Sequence, residues 1–223
     1  MRPMELPLPA CICFDLDGTL VDSVADLTVA CNLMLQELGE APLDESTARA
    51  YIGDGARMLV LRALGSEAKE IDHAVQRFRS HYADHLLDHT RPYPGVVETL
   101  TALGRQGFPM GVVTNKPHDF AVRILEGLGL MRHFHSVAGA RPGVPVKPAP
   151  DLLVMVLEEL GQPASSSWMV GDSPNDVNVA HAAGCVPIAL SYGIGKREDL
   201  EAAGASVILD HFSGILDLLG RVS

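Results

Sequence analysis

Apolar positions fall into two patterns along the chain, and the two are segregated. Residues 10–15 form an unbroken apolar run that ends in Asp15, the mark of a buried strand. From Ser23 the spacing changes: Val24, Leu27, Cys31, Met34, Leu35 and Leu38 share one helical face, and Gly39 ends it. Residues 44–90 contain no convincing strand, only helical periodicity over 56–64 and 67–87. Arg91-Pro92-Tyr93-Pro94-Gly95 is a stiff connector and predicts a boundary. Beyond it, strands predicted at 109–114, 136–138, 168–171, 186–190 and 206–209 alternate with helices at 96–105, 121–128, 152–160, 177–183 and 198–203, and one more helix follows.

Such alternation predicts an α/β fold, a Rossmann-like parallel sheet with helices on both faces. Crossovers between its strands are expected to be right-handed. The core domain then comprises residues 1–23 and 92–223, with a small α-helical domain, residues 24–91, inserted after the first strand. At 223 residues and 47% hydrophobic, the chain is long enough for one large domain carrying such an insert.

Charge narrows the function. Seventeen Lys and Arg against 28 Asp and Glu give a net charge of -11, which argues against nucleic acid as a partner. An acidic protein can still take an anionic substrate, given a metal and one or two well-placed lysines. Cys11, Cys13, Cys31 and Cys185 show no CxxC spacing and read as reduced core cysteines, which suits the cytoplasm. The N-terminus carries prolines and an acid where a signal peptide needs an apolar run, and no segment is long enough to predict a membrane span.

The polar residues that matter stand at predicted strand ends. Asp15 and Asp17 follow the first strand, two apart and therefore on one side of it. Thr114 and Asn115 follow the second, Lys147 lies between prolines ahead of a helix, and Asp172 and Asp176 follow a later strand. Taken singly, Thr114, Asp172 and Ser173 could cap helices and Lys147 could be a solvated surface lysine. In an open α/β sheet, however, ligands bind at the carboxyl ends of the strands, so these residues are expected to converge. Carboxylates gathered there raise each other's pKa and call for a cation or a reaction.

Other signals carry less. His81, His85 and His89 recur every four residues beside Asp84 and Asp88, but read as a solvated helix face. Gly127-Leu128-Gly129 is a helix stop, and Gly193-Ile194-Gly195-Lys196 lacks the rest of a phosphate loop. Gly53-Asp54-Gly55-Ala56-Arg57 has two readings. Asp54 could cap a helix between glycine connectors, or the loop could cover a substrate, with Gly53, Gly55 and Arg57 near a substrate carboxylate.

DLDGTLVDS at 15–23, VVTNK at 112–116, Lys147 in VKPAPD and GDSPNDV at 171–177 together resemble the haloacid dehalogenase-like hydrolase superfamily over essentially the whole chain. Within it, residues 52–64 and Ser191-Tyr192-Gly193 most resemble the phosphoglycolate phosphatase family. The resemblance implies that the insert is a cap domain and that Asp15 is a nucleophile forming an aspartyl-phosphate. It implies that Asp17 is the general acid and base, and that Thr114, the Asn115 backbone N–H and Lys147 hold the phosphoryl oxygens. Mg2+ would be bound by Asp15, Asp172 and the Asp17 carbonyl, with Asp176 orienting the ligands. The implied reaction hydrolyses 2-phosphoglycolate to glycolate and phosphate. Alternatives are another small phosphomonoester, such as a phosphosugar or nucleotide, or a phosphosugar mutase. The expected partner is that small molecule alone, with no nucleic acid or membrane, in a monomer or homodimer.

Overall fold

Period-two alternation fixes the centre of the molecule. In β1 (Ile12–Phe14), Ile12 and Phe14 join the apolar cluster on one face of the sheet, while Cys13 and the preceding Cys11 join the cluster on the other. Both faces are buried, so the strand has no polar position until Asp15. The computed structural model describes residues 6–65 and 71–221.

After β1 the chain makes a tight turn into β2 (Val21–Asp22) and then runs through four helices: α1 (Val24–Glu37), α2 (Glu45–Tyr51), α3 (Ala56–Leu64) and α4 (Ile71–Asp84). It returns as β3 (Arg91–Pro92), which pairs antiparallel with β2 so that Asp22 faces Arg91. The chain therefore leaves the sheet and re-enters it at one place. No strand occurs between residues 44 and 90 among the described residues, as the periodicity predicts. Residues 67–70 of the predicted helix over 67–87 lie outside the described residues. Helix α2 and the β2–β3 pair were not foreseen. The pair has two residues per strand, too few to show a period, and α2 announces itself only through its cap, where Asp44 accepts the Thr47 N–H at 2.8 Å.

The rest of the chain alternates: α5 (Val96–Arg105), β4 (Met110–Pro117), α6 (His118–Gly127), β5 (Ser136–Ala140), α7 (Asp151–Leu160), β6 (Trp168–Gly171), α8 (Pro174–Ala183), β7 (Val186–Leu190), α9 (Arg197–Ala202), β8 (Val207–Leu209) and α10 (Gly214–Leu219). Six strands form one parallel sheet in the order β5-β4-β1-β6-β7-β8. Strand order reverses about β1, which makes its carboxyl end the crevice where such sheets bind ligands. Helices α5 and α6 pack with Ile12, Phe14 and Trp168, while α7 and α8 cover Cys11, Cys13 and Met169. Burying each large side chain of this kind contributes about 1.5–3 kcal/mol. All four cysteines are free and buried.

Strand β4 runs past its predicted end because its pairing with β5 shifts register between Thr114 and Pro117. That irregularity holds Asn115 and Lys116 in the strand while turning them toward the crevice. No helix among the described residues is long and apolar enough to cross a membrane.

Candidate active site

Asp15 leaves β1 still bound to the sheet, its N–H donating to the Val170 carbonyl of β6 at 2.9 Å. The turn that follows is tight, with the Gly18 N–H bonded to the Val21 carbonyl at 2.9 Å. Gly18 has a φ of 85°, and the space a Cβ would fill there is taken by the Asp172 carboxylate. Gly193 meets Asp172 in the same way. Gly195 meets the Asp172 backbone carbonyl, so backbone packs around this one acid, which accounts for both glycines of Gly193-Ile194-Gly195.

Asp172 Oδ1 accepts the Thr19 hydroxyl at 2.8 Å, and its Oδ2 accepts the Ile194 N–H at 2.6 Å. Asp176 caps α8: its Oδ2 accepts both the Ser173 N–H at 3.0 Å and the Ser173 hydroxyl at 2.7 Å. Its Oδ1 accepts the Lys147 ammonium at 2.6 Å. Lys147 Nζ also lies 2.8 Å from Asp15 Oδ1, as an ion contact outside hydrogen-bond geometry, so that buried oxygen lacks a hydrogen-bond donor.

Oxygens of Asp15, Asp172 and Asp176 lie within 4.8 Å of one another. Burial pushes the Asp15 carboxyl up to about 8; Lys147 pulls against this while Asp176 and Asp172 add to it. Burial and Asp176 likewise push Asp172 up to about 6. Burial alone would weaken the Lys147 ammonium, but Asp15 and Asp176 outweigh it and hold its pKa above the usual lysine range. Three carboxylates around one cation leave an excess of negative charge. Hard oxygen donors on Asp15 and Asp172, each oxygen having two lone pairs, fit a small divalent cation, and Asp176, which accepts three hydrogen bonds including one from the Lys147 ammonium, fits a supporting role. The cluster can hold a metal.

A second buried lysine serves the other aspartate. Lys116 Nζ donates to Asp17 Oδ1 at 2.8 Å and Oδ2 at 2.9 Å, and the Ser23 hydroxyl reaches Oδ1 at 2.5 Å. Here too the carboxylate outweighs burial and holds the ammonium pKa above the usual lysine range. The Asp17 side chain is therefore turned away from the three-carboxylate cluster. Thr114 is buried, and its hydroxyl accepts the Lys116 N–H at 3.2 Å. The Asn115 amide clamps Lys147, accepting its N–H at 2.8 Å and donating to its carbonyl at 3.0 Å. It also donates to the Gly53 carbonyl at 3.2 Å, tying the glycine loop to the strand ends.

Two spaces open beside Asp15 and Asp17, with Ile52 and Gly53 lining both. One is a polar cleft of about 420 Å³ bordered by Asp54, Arg62, Asp172, Asn175 and Lys196. The other is a chamber of about 50 Å³ walled by Leu27, Leu59, Phe78, Tyr82 and Phe120, with Gly55 at its edge and Lys116 as its one cationic side chain among the described residues.

Asp15, Asp17, Thr114, Asn115, Lys147, Asp172, Asp176, Gly53 and Gly55 are thus brought together. Arg57 is not. It is 58% exposed and pairs on the surface with Asp72 of α4, because the first turn of α3 faces outward there. Asp54 caps no helix; it accepts the Asn175 amide at 2.7 Å and pairs with Arg62. The histidines also have ordinary partners: Glu37 for His81, Asp88 for His85 and Asp26 for His89. Sequence reasoning gave no role to Lys116, although it sits in the VVTNK motif, nor to Tyr82, which falls within the predicted helix over 67–87.

Similarity to known proteins follows the same residues. The sequence profile of the family described as haloacid dehalogenase-like hydrolase matches residues 12–190. A phosphoglycolate phosphatase of Rhodospirillum rubrum is 42% identical over 222 residues, covering 96% of this chain and 92% of its own length. One from Pectobacterium atrosepticum is 39% identical over 217 residues, covering 95% and 93%. The crystal structure of a predicted phosphoglycolate phosphatase from Haemophilus somnus 129PT superimposes with a TM-score of 0.88 at 32% identity, covering 95% of this chain and 98% of that one. The chain belongs to the haloacid dehalogenase-like hydrolase family.

Proposed function

We propose that this protein is a Mg2+-dependent phosphatase that hydrolyses 2-phosphoglycolate to glycolate and phosphate. The observation that carries the reading is the meeting of Asp15, Asp172, Asp176 and Lys147 at the carboxyl ends of β1 and β6. The phosphoglycolate phosphatases at about 40% identity supply the substrate. Size agrees. A chamber of about 50 Å³ has room for a two-carbon acid.

Mg2+ held by Asp15, Asp172 and the Asp17 carbonyl would neutralise the carboxylates so that a phosphate dianion can approach. Asp15 attacks phosphorus in line, and the bond from phosphorus to the ester oxygen breaks, giving an aspartyl-phosphate. Asp17 gives the departing alkoxide its proton, and Lys116 and Ser23 fix the direction in which that carboxyl points. Thr114, the Asn115 N–H and Lys147 hold the phosphoryl oxygens as their charge spreads in the transition state. Asp17 then takes a proton from water, whose oxygen attacks phosphorus, releasing phosphate and restoring Asp15.

Residues 24–91 act as a cap over a core of residues 1–23 and 92–223. The β2–β3 pair is the double crossing between them, and the Asn115–Gly53 and Asn175–Asp54 hydrogen bonds hold the cap loop against the core. Four buried thiols suit a cytoplasmic protein. Steady-state rates against a panel of phosphomonoesters with Mg2+ test the reading, and kcat/KM is expected to be highest for 2-phosphoglycolate. Equal rates across the panel would sink the substrate; no phosphate release from any member would sink the activity.

A further inference from the structure

The apolar chamber contains donors that the protein itself does not use. Tyr82 is 1% exposed, yet its hydroxyl makes no hydrogen bond of normal geometry. Buried hydroxyls in folded proteins almost always have a partner, so an orphan lining a cavity points to a ligand. Beside it stands Lys116, whose Nζ lies 4.6 Å from the Tyr82 ring centroid and whose ammonium also faces the phenol oxygen, outside normal hydrogen-bond geometry. An ammonium has three N–H donors, and Asp17 takes two of those on Lys116. Burial pushes the Tyr82 phenol up to about 12, with Lys116 pulling the other way, so the group is a neutral donor.

We propose that Lys116 and the Tyr82 hydroxyl together read the carboxylate of the leaving group, so that the chamber selects phosphate esters of very short 2-hydroxy acids. This rests on the phosphoglycolate reading and locates its specificity. The walls supplied by Leu27, Leu59, Phe78 and Phe120 offer a carboxylate nothing. A charge buried against those walls without donors is strongly disfavoured, and this pair supplies donors on that side of the chamber. The same walls favour a short acid: a carboxylate two bonds from the ester oxygen would extend past Asp17 toward Lys116, and about 50 Å³ has room for a group of that size. Arg57, paired with Asp72 outside the chamber, takes no part.

The test compares 2-phosphoglycolate with ethyl phosphate, which matches its length and lacks the carboxylate. It is run on the wild type, Tyr82→Phe and Lys116→Met with Mg2+ present. Tyr82→Phe removes only an unpartnered hydroxyl, so the fold is expected to survive, with an unchanged or higher melting temperature. The ratio of kcat/KM for the two esters is expected to fall roughly tenfold in Tyr82→Phe, the loss of one hydrogen bond to a charged acceptor, and further in Lys116→Met. Free glycolate, used to inhibit ethyl phosphate hydrolysis, is expected to bind roughly tenfold more weakly to Tyr82→Phe. If both ratio and inhibition stay at wild-type values in both variants, the chamber assignment is overturned, while a wild-type preference for 2-phosphoglycolate would leave the substrate standing. If the wild type shows no preference but glycolate inhibits and Tyr82→Phe weakens that inhibition, the chamber stands and the named substrate falls.

Discussion

Two buried lysines divide the site between them, and their surroundings are opposites. Lys147 stands among Asp15, Asp172 and Asp176, where negative charge is in excess and each neighbour is fixed by strand ends or a helix cap. Lys116 pairs with Asp17 alone, under a ring of aliphatic and aromatic side chains drawn from α1, α3, α4 and α6. The first setting suits any phosphoryl group, because everything in it faces the phosphorus. On the proposed reading, the second orients Asp17, and its shape and donors act on whatever is attached to the phosphate. On this proposal, reaction and selectivity have separate addresses.

The Lys147 side is expected to break first and hardest. Asp15→Asn keeps size and shape but replaces the nucleophile by an amide, so nearly all turnover should be lost on every ester. The fold should hold or gain, since one of three crowded carboxylates is neutralised. Retention of more than a few percent of the wild-type rate would remove Asp15 from that role. Chelation should abolish activity on all substrates alike, with recovery on adding Mg2+ and none with Ca2+, which demands more ligands and looser geometry. Full activity in excess chelator after dialysis would sink the metal assignment.

Lys147→Ala tests whether the cation acts on the transition state. A loss of about 10²-fold or more in kcat is expected, with little change in KM and no dependence on the leaving group. A change confined to KM would make Lys147 a ground-state anchor instead. Dependence on the leaving group would dissolve the distinction between the two lysines.

On the chamber side the support is structural. Asp26 of α1, fully buried next to Leu27, accepts the Thr90 hydroxyl at 2.7 Å, the Thr90 N–H at 2.8 Å and His89 Nδ1 at 2.9 Å, tying α1 to the return crossing. Burial alone would raise its pKa, but the hydrogen bonds from Thr90 and His89 overcome this and hold the carboxyl below the usual range. A depressed folded-state pKa stabilises the fold above the unfolded value near 4, and that share is lost as pH falls through the folded value. Asp26→Ala, leaving those donors unpaired, should cost about 2–4 kcal/mol by denaturant titration at neutral pH. It should also flatten the loss of stability in acid. An unchanged midpoint would leave α1 held by apolar packing alone.

How much of this was legible in the sequence follows the same division. Asp15, Asp17, Thr114 and Asp172 could be read because each stands at or just past the end of a strand with a clear apolar run, Lys147 because it lies in the loop between a strand and the next helix, and one topological rule gathers them. The sheet and most of its helices were legible for the same reason. The chamber was not. Leu27, Phe78 and Tyr82 occupy the buried faces of their helices, and helical spacing cannot tell a residue that faces a cavity from one that faces core. The Tyr82 hydroxyl becomes informative only when its missing partner can be seen. Lys116 was visible in its motif, but its bond to Asp17 crosses 99 positions.

Arg57 shows what spacing alone invites. It follows a glycine loop that does reach the site, yet Gly55 caps α3 with a φ of 87°, and from there the first turn carries Arg57 outward to Asp72. Both partners are well exposed, at 58% and 78% of their side-chain surface, and exposed ion pairs contribute about 0–1 kcal/mol. Arg57→Ala should therefore move the melting temperature slightly at most, and less still at high salt, where such a pair is screened. The ratio of kcat/KM for 2-phosphoglycolate over ethyl phosphate should stay within about twofold of the wild-type value, since Arg57 lines neither space beside Asp15. A selective drop of tenfold for the carboxylated ester would mean that α3 turns inward during catalysis. Carboxylate recognition would then belong to the cap loop rather than to Lys116 and Tyr82.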